Sequence, residues 1–140
     1  MSSLLYVASP FTHSEASVRE HWYRTACRAA AILMRSGIAV FSPISHSVPI
    51  AEYIGEVEDD HNFWMSMDIP ILYRCDEVLV LALNGWEQSK GVKRELVEAM
   101  WLRKPITLIE EADIKWLPAI PKTALKFLKS SIFTEVYDAK

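Results

Sequence analysis

The chain has 140 residues, of which 51% are apolar and 24% charged, and its formal net charge is −3. This length fits one domain with a substantial core, and this balance excludes a disordered chain. The small net charge provides no overall field toward polymeric nucleic acid or a membrane. The two cysteines lack metal-ligand spacing, which suits a reducing cytoplasm. The chain also shows no basic signal-peptide start and no apolar run long enough for a membrane span, so we expect a cytoplasmic protein.

Apolar strands and helices alternate along the chain. The strands are predicted at 4–8, 38–42, 78–83 and 105–110. A long helix follows the first strand, because Thr12 and Glu15 have capping-box spacing, and it is predicted to end at Gly37, where a helix-ending glycine belongs. Further helices are predicted at about 89–103 and at 121–129.

The apolar character of the strands predicts burial on both faces, as in a parallel sheet. Alternation with helices then predicts an α/β fold: a doubly wound, mainly parallel sheet of four to five strands with helices on both faces, in a flavodoxin-like or Rossmann-like three-layer arrangement. Residues 1–140 are predicted to form one domain. Residues 43–67 contain two prolines and two histidines and fit the alternation least, so we expect a loop with a short helix, inserted as a lid over one end of the sheet.

Polar turns follow three of the predicted strands, with the sequences ASPFT, SPISH and NGWEQSKG. Ligands of open parallel sheets bind beyond the carboxyl ends of the strands, so these turns are expected to converge on one crevice. Ser89 and Gly91 open a helix there, and their amides together with the helix dipole favour an anion such as phosphate. The alternative is that Ser89 is only a helix cap and Gly91 only a packing residue.

The helix that begins there has two kinds of charged side. Helical spacing places the carboxylates Glu95 and Glu98 on one side. The opposite charge lies on another side, on Lys90, Lys93 and Arg94. This basic side is expected to supply counter-charge to a phosphate, and Glu95 to point toward the sugar of the same nucleotide.

Three segments carry a resemblance to a known family. YVASPF, DIPILYRCDEVLVL and SKGVKRELVEA resemble, in this order, motifs of the nucleoside 2-deoxyribosyltransferase superfamily. The serine six positions before the glutamate is similar to that of the 2'-deoxynucleoside 5'-monophosphate N-glycosidases. The string CDEVLVLALNGWEQSKGVKRE also resembles small bacterial and phage members of unassigned function. The resemblance covers roughly residues 4–110, with Ser9 and Val97 at positions where the superfamily usually has glycine.

The resemblance implies roles for individual residues. Glu95 would be the nucleophile of N-glycosidic bond cleavage or deoxyribosyl transfer, Asp68 the acid and base, and Tyr6 the residue that orients Glu95. Ser89 with the Gly91 amide would hold a 5'-phosphate. The remaining substrate-binding residues are expected to be Ser9, Pro10, Phe11 and Trp86. The substrate would be a small nucleoside or nucleotide, without metal or organic cofactor, and the protein would be a homo-oligomer.

Other readings of these residues remain open. The crevice would also suit a nucleotide-binding or sensing module without turnover. Asp68 lies two residues before Pro70, as expected of a helix cap. A metal-dependent hydrolase would use the residues His46, Asp59, Asp60 and His61. A cysteine nucleophile is disfavoured, because Cys27 and Cys75 are predicted to be ordinary buried thiols.

The tryptophans are predicted to serve packing, with two exceptions to weigh. Trp22 and Trp101 are expected in the core, and Trp116 is expected to anchor the last connection. Trp86 and Trp64 lie near the expected crevice, where an indole can stack on a base, although packing is the ordinary role of such side chains.

Overall fold

The computed structural model describes residues 3–117, which form a four-stranded sheet in the order β2-β1-β3-β4 with every pair parallel. The strands are β1 (Leu4–Ala8), β2 (Ala39–Phe41), β3 (Glu77–Ala82) and β4 (Ile106–Glu110). The predicted parallel α/β fold is therefore confirmed. The helix predicted at 121–129 lies outside the described residues.

In the part of the chain that the structure describes, four α-helices connect and cover the strands: α1 (Ala16–Arg35), α2 (Pro43–Ile54), α3 (His61–Arg74) and α4 (Lys90–Trp101). Short 3₁₀ helices span Trp86–Gln88 and Glu111–Trp116. Within residues 3–117, no helix combines the length and apolar character that crossing a bilayer requires.

The sheet buries both of its faces, as its apolar strands require. Tyr6 and Ala8 pack on one face with Leu72 of α3 and Leu96 of α4. Val7 points to the other face and packs with α1 residues that include Trp22. Successive residues of β1 thus belong to two separate cores, which is the period-2 alternation of a strand buried between two helical layers.

The strand order places a switch point between β1 and β3. From β1 the chain goes through α1 to β2 on one side, and it then crosses to β3 on the other side. Connections that leave in opposite directions open a crevice at the carboxyl ends of these two strands, where ligands of such sheets bind. The candidate site lies on the elements that border this crevice.

The start of α1 differs from the prediction. Its cap is Glu15, whose side chain makes no capping hydrogen bond, so the Thr12–Glu15 capping box is wrong. The reason is that the Glu15 amide donates to His13 Nδ1 at 3.0 Å and is not left for Thr12. The helix ends at Arg35, and Gly37 follows with a φ of 85°, as predicted for a helix-ending glycine.

Residues 43–67 are more regular than predicted. The expected loop with a short helix is wrong, because α2 and the first half of α3 occupy the segment, separated by a turn at 55–60. Ser42 caps α2 by accepting from the Ser45 amide, and Pro43 takes the first helical position, where its missing N–H costs nothing. Asp60 caps α3 by accepting from the Phe63 amide at 3.1 Å. The action of residues 43–67 as a lid remains a prediction.

Candidate functional site

A buried pair of side chains joins β1 to α4. Tyr6 of β1 is fully buried, and its hydroxyl donates a hydrogen bond to Glu95 Oε2 of α4. Glu95 is itself only 3% exposed. The contact that Tyr6 needs in order to orient Glu95, the role that the resemblance implies for it, is therefore present.

The local sequence explains why Glu95 faces inward. The Ser89 hydroxyl accepts from the Val92 amide at 3.2 Å and so fixes the first turn of α4. Val92, Leu96 and Ala99 recur at helical spacing and pack on the sheet. Glu95 lies between these apolar positions, so packing of the helix carries its carboxylate into the core beside Tyr6.

Asp68 is the second buried carboxylate of the site. It lies in the middle of α3, 5% exposed, and is not a helix cap, so that alternative is wrong: Pro70 is accommodated inside the helix, and the cap is Asp60. Burial raises the pKa of Asp68 to about 6. Its charge also raises the pKa of Glu95, so the two carboxylates interact.

Burial dominates the ionisation of Glu95. It raises the pKa of this carboxyl from 4.5 to about 8; the hydrogen bond from Tyr6 lowers it, and the charge of Asp68 adds a further rise. Burial, followed by the nearby Glu95 charge, holds the pKa of Tyr6 well above its ordinary value. Tyr6 therefore stays protonated and remains the donor in this pair.

The second oxygen of Glu95 faces the first turn of its own helix. We use "the Gly91 position" for the point where a Cβ on Gly91 would lie. This point is 4.0 Å from Glu95 Oε1 and 3.9 Å from Ser89 Oγ, while Met65 Cε of α3 lies 3.7 Å from it. Among the described residues, Tyr6 is the hydrogen-bond donor to the Glu95 carboxylate, and it engages the other oxygen. Oε1 is thus available for chemistry beside Ser89 and Gly91.

The basic side of α4 is only partly free. Arg94 Nε pairs with Glu98 Oε1 at 3.0 Å, so Arg94 compensates a buried carboxylate of its own helix. Glu98 Oε2 also accepts from the Tyr73 hydroxyl at 2.8 Å. Within residues 3–117 no ion pair involves Lys90 or Lys93, which leaves these two as the cations available near the first turn.

The end of β1 supplies an unusual polar group. Ser9 is 4% exposed, and within residues 3–117 its hydroxyl is the buried side-chain polar atom that lacks a hydrogen-bond partner. Pro10 is buried beside it, and Phe11 is half-buried. An unpaired buried hydroxyl is costly, so Ser9 is suited to a ligand that supplies the missing partner.

The tryptophans divide differently from the prediction. Trp22 is buried in the core as expected, but Trp101 is 61% exposed, because it ends α4 beyond its buried face. Trp116 is also largely exposed, beneath the Lys115 ammonium, and the connection that it was expected to anchor lies outside the described residues. Trp86 is half-buried against the core cluster of Tyr6. The Trp64 indole donates to the Glu58 carbonyl at 2.8 Å.

The metal and thiol alternatives find no support in the geometry. In the part of the chain that the structure describes, no three His, Cys, Asp or Glu side chains come together as a metal-binding group, so His46, Asp59, Asp60 and His61 do not form one. Burial raises the pKa of the Cys75 thiol to about 11, the opposite of what activates a cysteine nucleophile. Cys27 is half-buried in α1.

Sequence reasoning missed Met65 and Phe41. Met65 precedes Asp68 by three residues, which puts both side chains on one face of α3, and this spacing was the available signal. The Phe41 ring lies 5.9 Å from that of Tyr6 and 5.4 Å from that of His46. Its place at the carboxyl end of β2 was the signal there.

The family model described as "Domain of unknown function (DUF1937)" matches residues 3–111. The chain belongs to the DUF1937 family. Among solved structures, this DUF1937 protein is similar to the 2-deoxyribosyltransferase of the psychrotolerant bacterium Bacillus psychrosaccharolyticus, with 22% identity, a TM-score of 0.57 and coverage of 77% of this chain and 72% of that chain. This likeness shows that the DUF1937 protein has the 2-deoxyribosyltransferase fold. No curated protein matches its sequence.

Proposed function

We propose that this DUF1937 protein cleaves the N-glycosidic bond of a nucleoside, deoxynucleoside or 5'-monophosphate, or transfers its deoxyribosyl group, with Glu95 as the nucleophile. One observation carries the proposal: the buried Glu95 carboxylate has one oxygen held by Tyr6 and the other turned toward the Gly91 position. The 2-deoxyribosyltransferase fold supports it. No step requires a metal or an organic cofactor.

The reaction has two displacements at the anomeric carbon. Glu95 Oε1 forms a bond to C1' while the bond from C1' to the base nitrogen breaks, and the electron pair leaves with the base. Asp68 donates the proton that the base takes up. Water or a second base then attacks C1', gives its proton to Asp68 and releases Glu95. Tyr6 holds Glu95 in the attacking rotamer throughout.

The first turn of α4 is the proposed phosphate subsite. The Ser89 oxygen accepts from the Val92 amide, which leaves the hydroxyl hydrogen free to donate to a phosphate oxygen. Gly91 presents no side chain there, and Lys90 and Lys93 supply positive charge. Ser9, Pro10, Phe11 and Trp86 are proposed to contact the rest of the substrate, with Ser9 donating its unpaired hydroxyl.

A second function is a nucleotide sensor that binds without turnover. The observation that favours it is the pKa of Glu95, which is raised to about 8, so most of the free protein holds a neutral and weakly nucleophilic carboxyl at neutral pH. Whether it is an enzyme or a sensor, the protein is proposed to be a homo-oligomer that binds a small molecule. It is proposed to lie in a reducing cytoplasm, where Cys27 and Cys75 remain thiols.

The test is chromatography of the base released from deoxynucleosides, ribonucleosides and their 5'-monophosphates. The enzyme proposal predicts release by wild type and none by Glu95→Gln. Glu98→Gln is the matched control, because Glu98 is a buried carboxylate of the same helix that hydrogen-bonds to Tyr73 and Arg94. Faster release from monophosphates than from nucleosides supports the phosphate subsite. If wild type binds a nucleoside or nucleotide in calorimetry but releases no base, the sensor function is favoured over the enzyme.

A further inference from the structure

The Gly91 position, which Glu95 Oε1 borders at 4.0 Å, has a polar and an apolar neighbour. Ser89 Oγ lies 3.9 Å from this position, and Met65 Cε lies 3.7 Å from it. A thioether methyl offers no hydrogen-bond donor and only a weak sulfur acceptor behind it. The point that Glu95 Oε1 borders is therefore lined by a hydroxyl group from α4 and by a methyl group from α3.

Helix α3 fixes the position of this methyl group. Met65 is 9% exposed and lies three residues before Asp68 on the same helical face. Helices α3 and α4 contact each other, and Met65 Cε of α3 lies 3.7 Å from the Gly91 position of α4. The apolar wall is therefore part of the packed site and does not depend on a surface loop.

The sugar of the substrate also has a polar and an apolar side next to its anomeric carbon. The anomeric carbon must contact Glu95 Oε1, and its ring neighbours are then the ring oxygen on one side and C2' on the other. In a 2-deoxy sugar C2' is a methylene, which makes no hydrogen bonds to water and so loses none when it contacts a methyl group. In a ribosyl group C2' carries a hydroxyl, which loses its hydrogen bonds to water and finds no partner at Met65.

We propose that Met65 is a specificity-determining residue, whose methyl group contacts C2' of the bound sugar and disfavours a 2'-hydroxyl. The inference rests on the proposed function, because it requires a sugar at Glu95. It adds the residue that distinguishes 2-deoxyribosyl from ribosyl substrates, with the polar edge of the sugar turned toward Ser89.

Two substitutions of Met65 test the proposal. Met65→Gln keeps the length of the side chain and places an amide where the methyl group lies, so a 2'-hydroxyl gains a partner. Met65→Leu keeps an apolar wall. The measurement is kcat/KM for base release from a deoxynucleoside and from the ribonucleoside with the same base, with thermal unfolding as the check on folding.

Wild type is expected to prefer the deoxynucleoside by roughly 10-fold or more, the scale of discrimination that a single apolar contact gives. Met65→Gln is expected to reduce this ratio about tenfold, and Met65→Leu to retain most of it. Base release with the same ratio in wild type and Met65→Gln would overturn the inference and leave the proposed function intact.

No base release by wild type would instead count against the proposed function. The same pair of nucleosides is then compared by calorimetric affinity on wild type and Met65→Gln. Tighter binding of the deoxynucleoside to wild type alone would support the role of Met65, and equal affinities would end it.

Discussion

The Tyr6 hydroxyl donates a hydrogen bond to Glu95 Oε2. The two residues are 89 positions apart in sequence, and both side chains are buried. The bond links the central strand of the sheet to α4, and it occupies one oxygen of a carboxylate whose other oxygen borders the Gly91 position. Burying a carboxylate with only one of its oxygens hydrogen-bonded costs folding free energy, so stability alone does not explain this pair. Substitutions that remove the hydroxyl or the charge of this pair separate a chemical role from a structural one.

Loss of the Tyr6 hydroxyl should weaken the nucleophile. The hydrogen bond from Tyr6 lowers the pKa of Glu95, so in Tyr6→Phe that pKa rises further and less Glu95 is ionised at neutral pH. We expect kcat/KM for base release to fall about 10- to 100-fold near neutral pH, the worth of a hydrogen bond to a charged group, and to recover partly at higher pH. The measurement is the pH profile of kcat/KM.

Tyr73→Phe is the control for this prediction. It removes a tyrosine hydroxyl that donates to Glu98, the other buried carboxylate of α4. Equal pH profiles for Tyr6→Phe and Tyr73→Phe would contradict a special role for Tyr6.

Neutralising Glu95 should stabilise the protein in alkaline solution. Because burial raises the pKa of Glu95 from 4.5 to about 8, the folded protein keeps a proton that the unfolded chain has released. The free energy of unfolding therefore falls as the pH rises between these two values, by as much as several kcal/mol. We expect Glu95→Gln to unfold at a higher temperature than wild type above pH 8, and the difference to shrink in acid.

Glu98→Gln should behave in the opposite way. It loses the ion pair of Glu98 with Arg94 and is expected to unfold at a lower temperature than wild type at neutral pH. A Glu95→Gln variant that is also less stable than wild type at alkaline pH would show that Glu95 is ionised and well paired in the fold.

Asp68 should determine the alkaline side of the activity profile. Activity needs ionised Glu95 and protonated Asp68, with pKa values of about 8 and about 6. Only about 1% of molecules carry this combination near neutral pH, and kcat/KM should rise below pH 6, stay nearly level and fall above pH 8. In Asp68→Asn the fall should disappear, with a lower maximum. An alkaline fall that persists in Asp68→Asn would assign it to another group.

The hydroxyl of Ser9 should matter in opposite ways to stability and to binding. Since it is buried without a partner in the described part of the chain, Ser9→Ala removes a group whose burial costs roughly 1–3 kcal/mol. We expect this variant to be slightly more stable than wild type without ligand, and to bind substrate more weakly. Thermal unfolding and calorimetry on the same preparations measure both. Unchanged affinity in Ser9→Ala would mean that Ser9 does not contact the substrate.

The sheet was predictable from sequence for a simple physical reason. Strands buried on both faces must be apolar throughout, and only a few runs in the chain satisfy this, so β1 and β3 were found nearly to the residue. The cap at Ser89 was predictable for a similar reason, because a serine before a helical repeat satisfies an otherwise unpaired amide. The role of Glu95 came instead from the family resemblance, because a glutamate in a helix is ordinarily exposed to solvent.

The errors arose where tertiary packing overrode a local rule. Pro49 belonged to a segment expected to be mainly loop, and Pro70 was expected near a helix start, yet both lie inside helices, α2 and α3. The error affected only the alternative interpretation of Asp68 as a helix cap, because Asp68 is a buried carboxylate in mid-helix. For Met65, the spacing to Asp68 was the one signal in the sequence. Only the approach of α3 to α4 shows that its methyl group lies 3.7 Å from the Gly91 position, which Glu95 Oε1 also borders.

The most direct test of the account is a search for the covalent intermediate. Wild-type protein is mixed with the best deoxynucleoside or monophosphate from the screen, quenched in acid within its first turnover, and examined by intact and peptide mass spectrometry. The account predicts a deoxyribosyl adduct on the peptide that carries Glu95, present in wild type and Glu98→Gln and absent in Glu95→Gln. Base release by Glu95→Gln at the wild-type rate, without an adduct in either protein, would contradict it.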